Sequence, residues 1–259
     1  MNFGVQTFTV RREQKKSAKA AYKKLTEMGV GSLEVARIKF TAKKARELAE
    51  ISKELGMEIS SIQVKPKYVL GNSDGIVEFC KITGCRRVII SMLPFGCILG
   101  GEDKFYKFIA TLDSLAEIYA GAGITLAYHH HNWEYLRLSS GRSRMNELLS
   151  RTKRIKFVHD TYWTARCGIS PARQIEEFGE RLLGIHLRDL TFKKKGIEVL
   201  SRDCSVGDGV IDFGDVLRAA ESVGCEYYVI EQNTKSPYEE IKKSLNKLEA
   251  IKRELGREE

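Results

Sequence analysis

The stretch KFYKFIATLDSLAEIYAGAGITLAY, residues 104–128, decides the fold. Its apolar residues Phe105, Phe108, Ile109, Leu112, Leu115, Ala116 and Tyr119 recur at spacings of three and four, the period of one helix face. Gly123 then marks a helix end, where a left-handed conformation suits glycine. A short β-rich run, Thr125–Tyr128, follows at once. The same order of helix, glycine and strand recurs around Gly29, Gly56, Gly84 and Gly224. Eight strand-like runs result: Phe3–Phe8, Ser32–Ala36, Glu58–Val64, Arg87–Ser91, Thr125–Tyr128, Lys156–His159, Leu183–Leu187 and Tyr227–Glu231.

Helix-like segments such as Thr41–Leu55, Lys104–Ala122, Phe213–Val223 and Tyr238–Leu255 lie between or after these runs. No G-x-G-x-x-G turn follows the first strand. Eight βα units without that turn favour a closed α/β barrel over a doubly wound sheet. A chain of 259 residues suits one such barrel, so residues 1–259 are expected to form a single (β/α)8 domain. The longest irregular stretch is Arg188–Asp212, and loops of that length are usually functional.

The formal net charge of +9 admits nucleic acid, anionic membrane or anionic substrate as partners. Most Lys and Arg fall on predicted outer helices, as in Arg11–Lys24 and Lys242–Arg257, without the interleaved aromatics of a base-stacking surface. Neither nucleic acid nor membrane is therefore expected as a partner, and homo-oligomerisation stays open. Six Cys with no C-x2-C pair give no zinc-knuckle spacing. Met1-Asn2-Phe3-Gly4 lacks signal-peptide character, and no apolar run nears the roughly 18 residues of a membrane span. A reducing, cytoplasmic setting is the default expectation.

In this barrel class the active site forms at the C-terminal strand ends. All five His, at 129, 130, 131, 159 and 186, lie at or just past the ends of predicted strands five, six and seven. Carboxylates fall there too: Glu134 after strand five, Asp160 after six, Glu231 at the end of eight, with Glu34 inside strand two. Acidic groups at the ends of apolar strands are costly unless something offsets their charge. Glu134, Asp160, His186 and Glu231, converging on one mouth, would repel without a cation among them. Such an O3N set suits one divalent ion, Mn²⁺, Mg²⁺, Co²⁺ or Zn²⁺. Strand alternation lets at most two of the three consecutive His face inward, and His129 and His131 are the expected pair. Trp133 and Trp163 are expected as packing residues or as apolar walls for a sugar ring.

These residues sit in motifs that together resemble the xylose isomerase-like TIM barrels, specifically the sugar phosphate isomerase/epimerase group with its inosose dehydratase-like and ketose 3-epimerase-like members. Gly4-Val5-Gln6-Thr7-Phe8-Thr9-Val10-Arg11 is similar to the family's opening G-x-Q-x-Y-T-V-R. Tyr128–Tyr135 resembles Y-H-N-H-x-x-E-F, Asp160–Trp163 resembles D-x-Y-W, and His186–Asp189 resembles H-L-K-D. Gly207–Phe213 resembles G-E-G-x-I-D-F, and Val229–Gln232 resembles the terminal V-E-Q. The resemblance implies a divalent metal held by Glu134, Asp160, His186 and Glu231. It departs at strand five, where the epimerase branch carries a Glu within the strand. Glu134 can reach the metal only if its loop folds back; otherwise His131 is the ligand. Trp163 stands where that branch has His, which argues against simple ketose 3-epimerisation.

The expected activity is isomerisation or epimerisation of a sugar or sugar-like substrate. Proton transfer would pass through a metal-stabilised enediolate, with His129, His131 or Glu231 as the base. Gln6, Glu34, Trp163 and Arg188 are candidates for substrate contacts, and Arg188 and Lys65 for holding an anionic group. The same site with a β-leaving group would make a lyase or dehydratase acting on a keto-inositol or 3-keto-glycoside. Two remoter readings are an abasic-site endonuclease, which needs more metal ligands than five His readily supply, and a non-catalytic binding subunit.

Overall fold

Helix Glu102–Gly121 shows why these segments take their places. It turns Phe105, Phe108, Ile109, Leu112 and Tyr119 onto one buried face. Each fully buried side chain of this size contributes about 1.5–3 kcal/mol, more than helix propensity supplies. Phe108 meets the Tyr128 ring on the next strand at 6.1 Å between centroids. All five punctuating glycines adopt positive φ, between 62° and 91°.

The strands of the computed structural model are β1 (Phe3–Gln6), β2 (Ser32–Val35), β3 (Glu58–Val64), β4 (Arg87–Ile90), β5 (Thr125–His129), β6 (Lys156–Asp160), β7 (Leu182–Leu187), β8 (Asp189–Lys195), β9 (Glu198–Cys204) and β10 (Tyr227–Ile230). The structure describes residues 1–258, with side chains through Gly256; Glu259 and the side chain of Arg257, both in segments named from the sequence, lie outside the described residues. Eight strands close a parallel barrel in the order β1-β10-β7-β6-β5-β4-β3-β2. They match the sequence-derived runs within two residues at each end.

One difference lies in the stretch read as irregular. Residues 189–204 form an antiparallel hairpin, β8–β9, paired from Asp189↔Cys204 to Lys195↔Glu198. Its strands lack a buried face, since residues 192–200 are all exposed. Without an apolar–polar alternation to bury, the usual strand signal is missing. Asp189 also fixes the segment after the hairpin. Its carboxylate accepts backbone N–H bonds from Leu190, Gly207, Gly209 and Ile211 at 2.8–3.3 Å. Gly209 has no room for a side chain there, because a Cβ would fall 2.3 Å from the Asp189 carboxylate.

Two register shifts set what faces the barrel axis. One lies between β2 and β3, where Leu33 pairs Ile59 but Glu34 pairs Ser61. The other lies between β6 and β7, where Phe157 pairs Leu182 but Val158 pairs Gly184. An extra residue at such a bulge re-aims every side chain beyond it. Ile89, Ala127, Val158, Leu183, Tyr227 and Val229 accordingly form an apolar layer inside the barrel. His186, three residues beyond Leu183, faces inward as well. A Cβ on Gly184 would strike the Tyr227 ring at 2.3 Å, so glycine there makes room for that ring.

Candidate metal centre and active site

Directly above the apolar layer, each barrel strand carries a polar residue at its C-terminal end or next to it: Gln6, Glu34, Gln63, Ser91, His129, Asp160, His186 and Glu231. His129, Asp160, His186 and Glu231 each bring one ligand-type atom to within 4.8 Å of the others, and all four are buried. His186 lies between two carboxylates, with Nε2 2.8 Å from Glu34 Oε1 and Nδ1 2.8 Å from Glu231 Oε2. Burial opposes its charge, but the Glu34 and Glu231 carboxylates outweigh that and raise it to about 10. Burial likewise opposes ionisation of Glu231, yet Arg188 and His186 hold it down at about 2. Asp160 is pulled below the carboxylate range by Arg188 and His129, against its own burial.

Arg188 is buried with this cluster. Its Nη1 lies 3.1 Å from Asp160 Oδ2 and 3.4 Å from Glu231 Oε1. Nη2 reaches both oxygens of Asp203 on β9, at 3.0 and 3.2 Å. The guanidinium thus ties the cluster to the hairpin. Asp160 also caps the helix Thr161–Arg166, accepting from Trp163 N at 3.1 Å. Gln6 donates from Nε2 to Glu231 Oε2 at 3.3 Å and to Gln63 Oε1 at 3.1 Å.

The donor set fits a divalent cation. His129 Nε2 and both His186 ring nitrogens are buried without a well-aligned hydrogen bond, despite the short approaches to carboxylates. Buried polar atoms left so are costly. Two imidazoles and two carboxylates within 4.8 Å form an N2O2 set suited to Zn²⁺, Co²⁺ or Mn²⁺.

The structure revises the expected ligand set at strand five. Glu134 does not fold back to the cluster. It is buried in the short helix Trp133–Tyr135, accepting from Tyr128 OH and, at 2.8 Å, from His131 N. Burial pushes its carboxyl up, toward the neutral form. His129 stands among the clustered residues in its place, since β5 runs one residue further than the sequence reading had it and ends on His129.

The three consecutive His part ways. His130 turns outward, its Nε2 3.1 Å from His159 Nδ1. His131 lines the cleft between Trp133 and Trp163, with ring centroids 5.2 and 5.3 Å away. Its Nδ1 has no partner.

The substrate-contact candidates also divide. Gln6, Trp163 and Arg188 line a cleft of about 630 Å³ above the cluster, together with His129, His131 and Glu231. Glu34 lies outside this lining and fully buried: Oε2 accepts from Ser61 Oγ at 2.7 Å and Tyr227 OH at 3.0 Å, and Oε1 faces His186. It is a support for His186 and not a substrate contact. The arm of Arg188 is committed to three carboxylates, which leaves Lys65 as the candidate anion contact at the rim. Sequence reasoning missed Asp203, which lay in the segment read as loop, and Gln63, whose side chain shows its role only through Gln6.

A closed eight-stranded parallel barrel with its charged groups at the C-terminal mouth defines a class of α/β-barrel proteins with sites built on strand ends. A family model described as xylose isomerase-like TIM barrel matches residues 22–252, and the chain belongs to that family. A solved sugar phosphate isomerase/epimerase from Parabacteroides distasonis superposes with a TM-score of 0.78 at 19% identity, covering 94% of this chain and 91% of its own. A solved IolI protein with a bound zinc atom superposes with a TM-score of 0.71 at 14% identity, covering 97% and 98%. An inosose dehydratase of Geobacillus thermodenitrificans is 26% identical over 142 residues, which span 50% of this chain and 47% of that relative. Among the described residues no helix is long and apolar enough to cross a membrane.

Proposed function

We propose that this chain is a metal-dependent enzyme that moves a proton on a sugar-like keto substrate, as an isomerase or epimerase. The observation that carries this reading is the buried His129–Asp160–His186–Glu231 cluster on the floor of the cleft. These four residues would hold one divalent ion. When bound, such an ion polarises a carbonyl and lowers the cost of negative charge on its oxygen.

The chain's own groups supply the rest. His131 Nδ1 is unpartnered at the cleft wall and is the candidate to take a proton from the carbon next to the carbonyl. The carboxylate of Glu134 accepts from the His131 backbone N–H and so fixes that segment. Trp163 and Trp133 confine the His131 ring. Arg188 keeps Asp160 and Glu231 ionised and in place.

The match to an inosose dehydratase favours a second reading on the same residues. There the proton is taken in the same way, the C–O bond on the adjacent carbon breaks as a carbon–carbon double bond forms, and the hydroxyl leaves with that proton as water.

Elemental analysis of wild type beside an Asp160→Ala, Glu231→Ala double variant tests the centre. We expect about one divalent ion per wild-type chain and none in a folded variant. Loss of substrate C–H signal in D2O, screened over ketoses, keto-inositols and 3-keto-glycosides, tests the chemistry. A wild type that takes up no metal after incubation with Mn²⁺, Co²⁺ or Zn²⁺ would leave the cluster without its proposed role.

A further inference from the structure

The floor of the cleft is acidic, but its rim on the β1 and β2 side is basic. Arg11, Arg37, Lys39 and Lys65 stand there, and none forms an ion pair with a carboxylate among the described residues. Arg37 and Lys39 line both the cleft and a neighbouring basic groove that continues outward past Arg11 and Lys43. The groove's carboxylate, Glu47, is paired with Lys44.

Arg11 and Arg37 share one platform. The Arg11 guanidinium lies 3.9 Å from the Phe8 ring centre and that of Arg37 lies 5.2 Å from it. Arg11 is held in this pose, donating to Phe8 O at 2.8 Å and to Asn233 Oδ1 at 2.7 Å. Cation–π contact offsets part of their mutual repulsion, but neither pairs with a carboxylate among the described residues. Burial first, then the Arg12 and Arg37 charges, make Arg11 give up its proton more readily than a free guanidinium.

Arg37 also has φ of 61°, the one non-glycine residue at positive φ among those described. A long side chain in that conformation is strained, and such strain concentrates at ligand sites. The backbone here aims a guanidinium over the mouth at a conformational cost.

We infer that the substrate carries an anionic group, a phosphate or a carboxylate, remote from its reacting carbon, and that Arg11 and Arg37 clamp it over Phe8. This rests on the reading of the cleft as a sugar site. The acidic floor would take the carbonyl end through its cation, and the basic rim the anionic end. Paired guanidinium forks match the oxygen geometry of either anion.

Calorimetric titration with inorganic phosphate and with acetate, at matched ionic strength, tests the clamp on the purified protein. Phosphate binding stronger than acetate binding assigns a phosphoryl group to the ligand, and the reverse order a carboxylate. The variants are Arg11→Gln and Arg37→Gly, the latter removing charge while relieving the strained φ, so that misfolding cannot explain a loss. We expect saturable binding of one of the two anions, weakened about tenfold or more in each variant. Absence of saturable binding of both anions up to about 50 mM would overturn the inference. So would binding that survives both arginine substitutions, or binding that disappears only in the Asp160→Ala, Glu231→Ala variant, which would place the anion at the floor. Metal content is measured separately, so failure of the metal centre and failure of the clamp are distinguishable.

Discussion

Two adjacent layers of the same barrel obey opposite rules. The lower holds Ile89, Ala127, Val158, Leu183, Tyr227 and Val229, all apolar or aromatic. The upper holds His129, Asp160, His186 and Glu231 with Glu34 beneath them. On β5, β6 and β10 the change takes two residues: Ala127 to His129, Val158 to Asp160 and Val229 to Glu231. The lower layer stabilises the fold by excluding water. The upper one places like charges where each would, alone, disfavour folding. Burial measures the two as equal, and only the chemistry of the buried groups separates them. A function-bearing layer can therefore sit directly on a structural one, because strand ends lie within side-chain reach of both barrel interior and solvent.

The largest effect that tests this contrast is on activity. Asp160→Ala should lower turnover by at least about a thousandfold, or roughly 4 kcal/mol of barrier, with the barrel still folded by circular dichroism. An active Asp160→Ala enzyme would remove the distinction between the layers. Leu183→Ala, one layer down, should do the reverse. It should cost about 2–5 kcal/mol in urea unfolding by opening a cavity, with metal stoichiometry unchanged. Loss of metal in that variant would show the layers to be coupled.

Smaller effects sharpen the boundary. Glu34→Gln removes the carboxylate beneath His186, on its Nε2 side, while leaving an oxygen for Ser61 and Tyr227. Metal affinity should fall about 10–100-fold, as for other supports of a ligating imidazole, read by competition with a chelator. Glu134→Gln should leave metal content intact and slow turnover by about tenfold through the His131 segment. A metal-free Glu134→Gln protein would return Glu134 to the ligand set. The smallest effect is at the rim, where Arg37→Gly should raise stability by about 1 kcal/mol in the same unfolding assay by relieving the positive φ.

The barrel was legible because its signals are local. Helix period, terminal glycines and short β-rich runs located all eight barrel strands within two residues. The hairpin was not, because Lys193, Lys194 and Lys195 and the fully exposed Ile197 carry no pattern that burial imposes. At the site, Asp160, His186 and Glu231 were legible as strand-end charges. The strand-five member was not: the sequence set Glu134 against His131, whereas the cluster holds His129, an outcome that depends on the conformation of residues 130–135. There Tyr128 OH and His131 N engage the carboxylate, contacts that no spacing rule contains. Glu34 could be read as buried and acidic, but its partner Ser61 could not, because a register shift in β3 sets Ser61 opposite it.

That shift and its counterpart at Leu183 behave like a reading frame. In β7 Leu183 and Gly184 both face the axis, and beyond them alternation resumes, with Ile185 and Leu187 packed toward the helices and His186 inward. Inserting one residue between Gly184 and Ile185 would preserve every amino acid and still turn His186 toward the helices, with Ile185 and Leu187 facing the mouth, whereas deleting Leu183 would only restore regular alternation. Insertions of one residue beyond the bulge in β3 or β7 are therefore far more damaging than most substitutions at the same positions. A lineage that keeps the chemistry must keep the count.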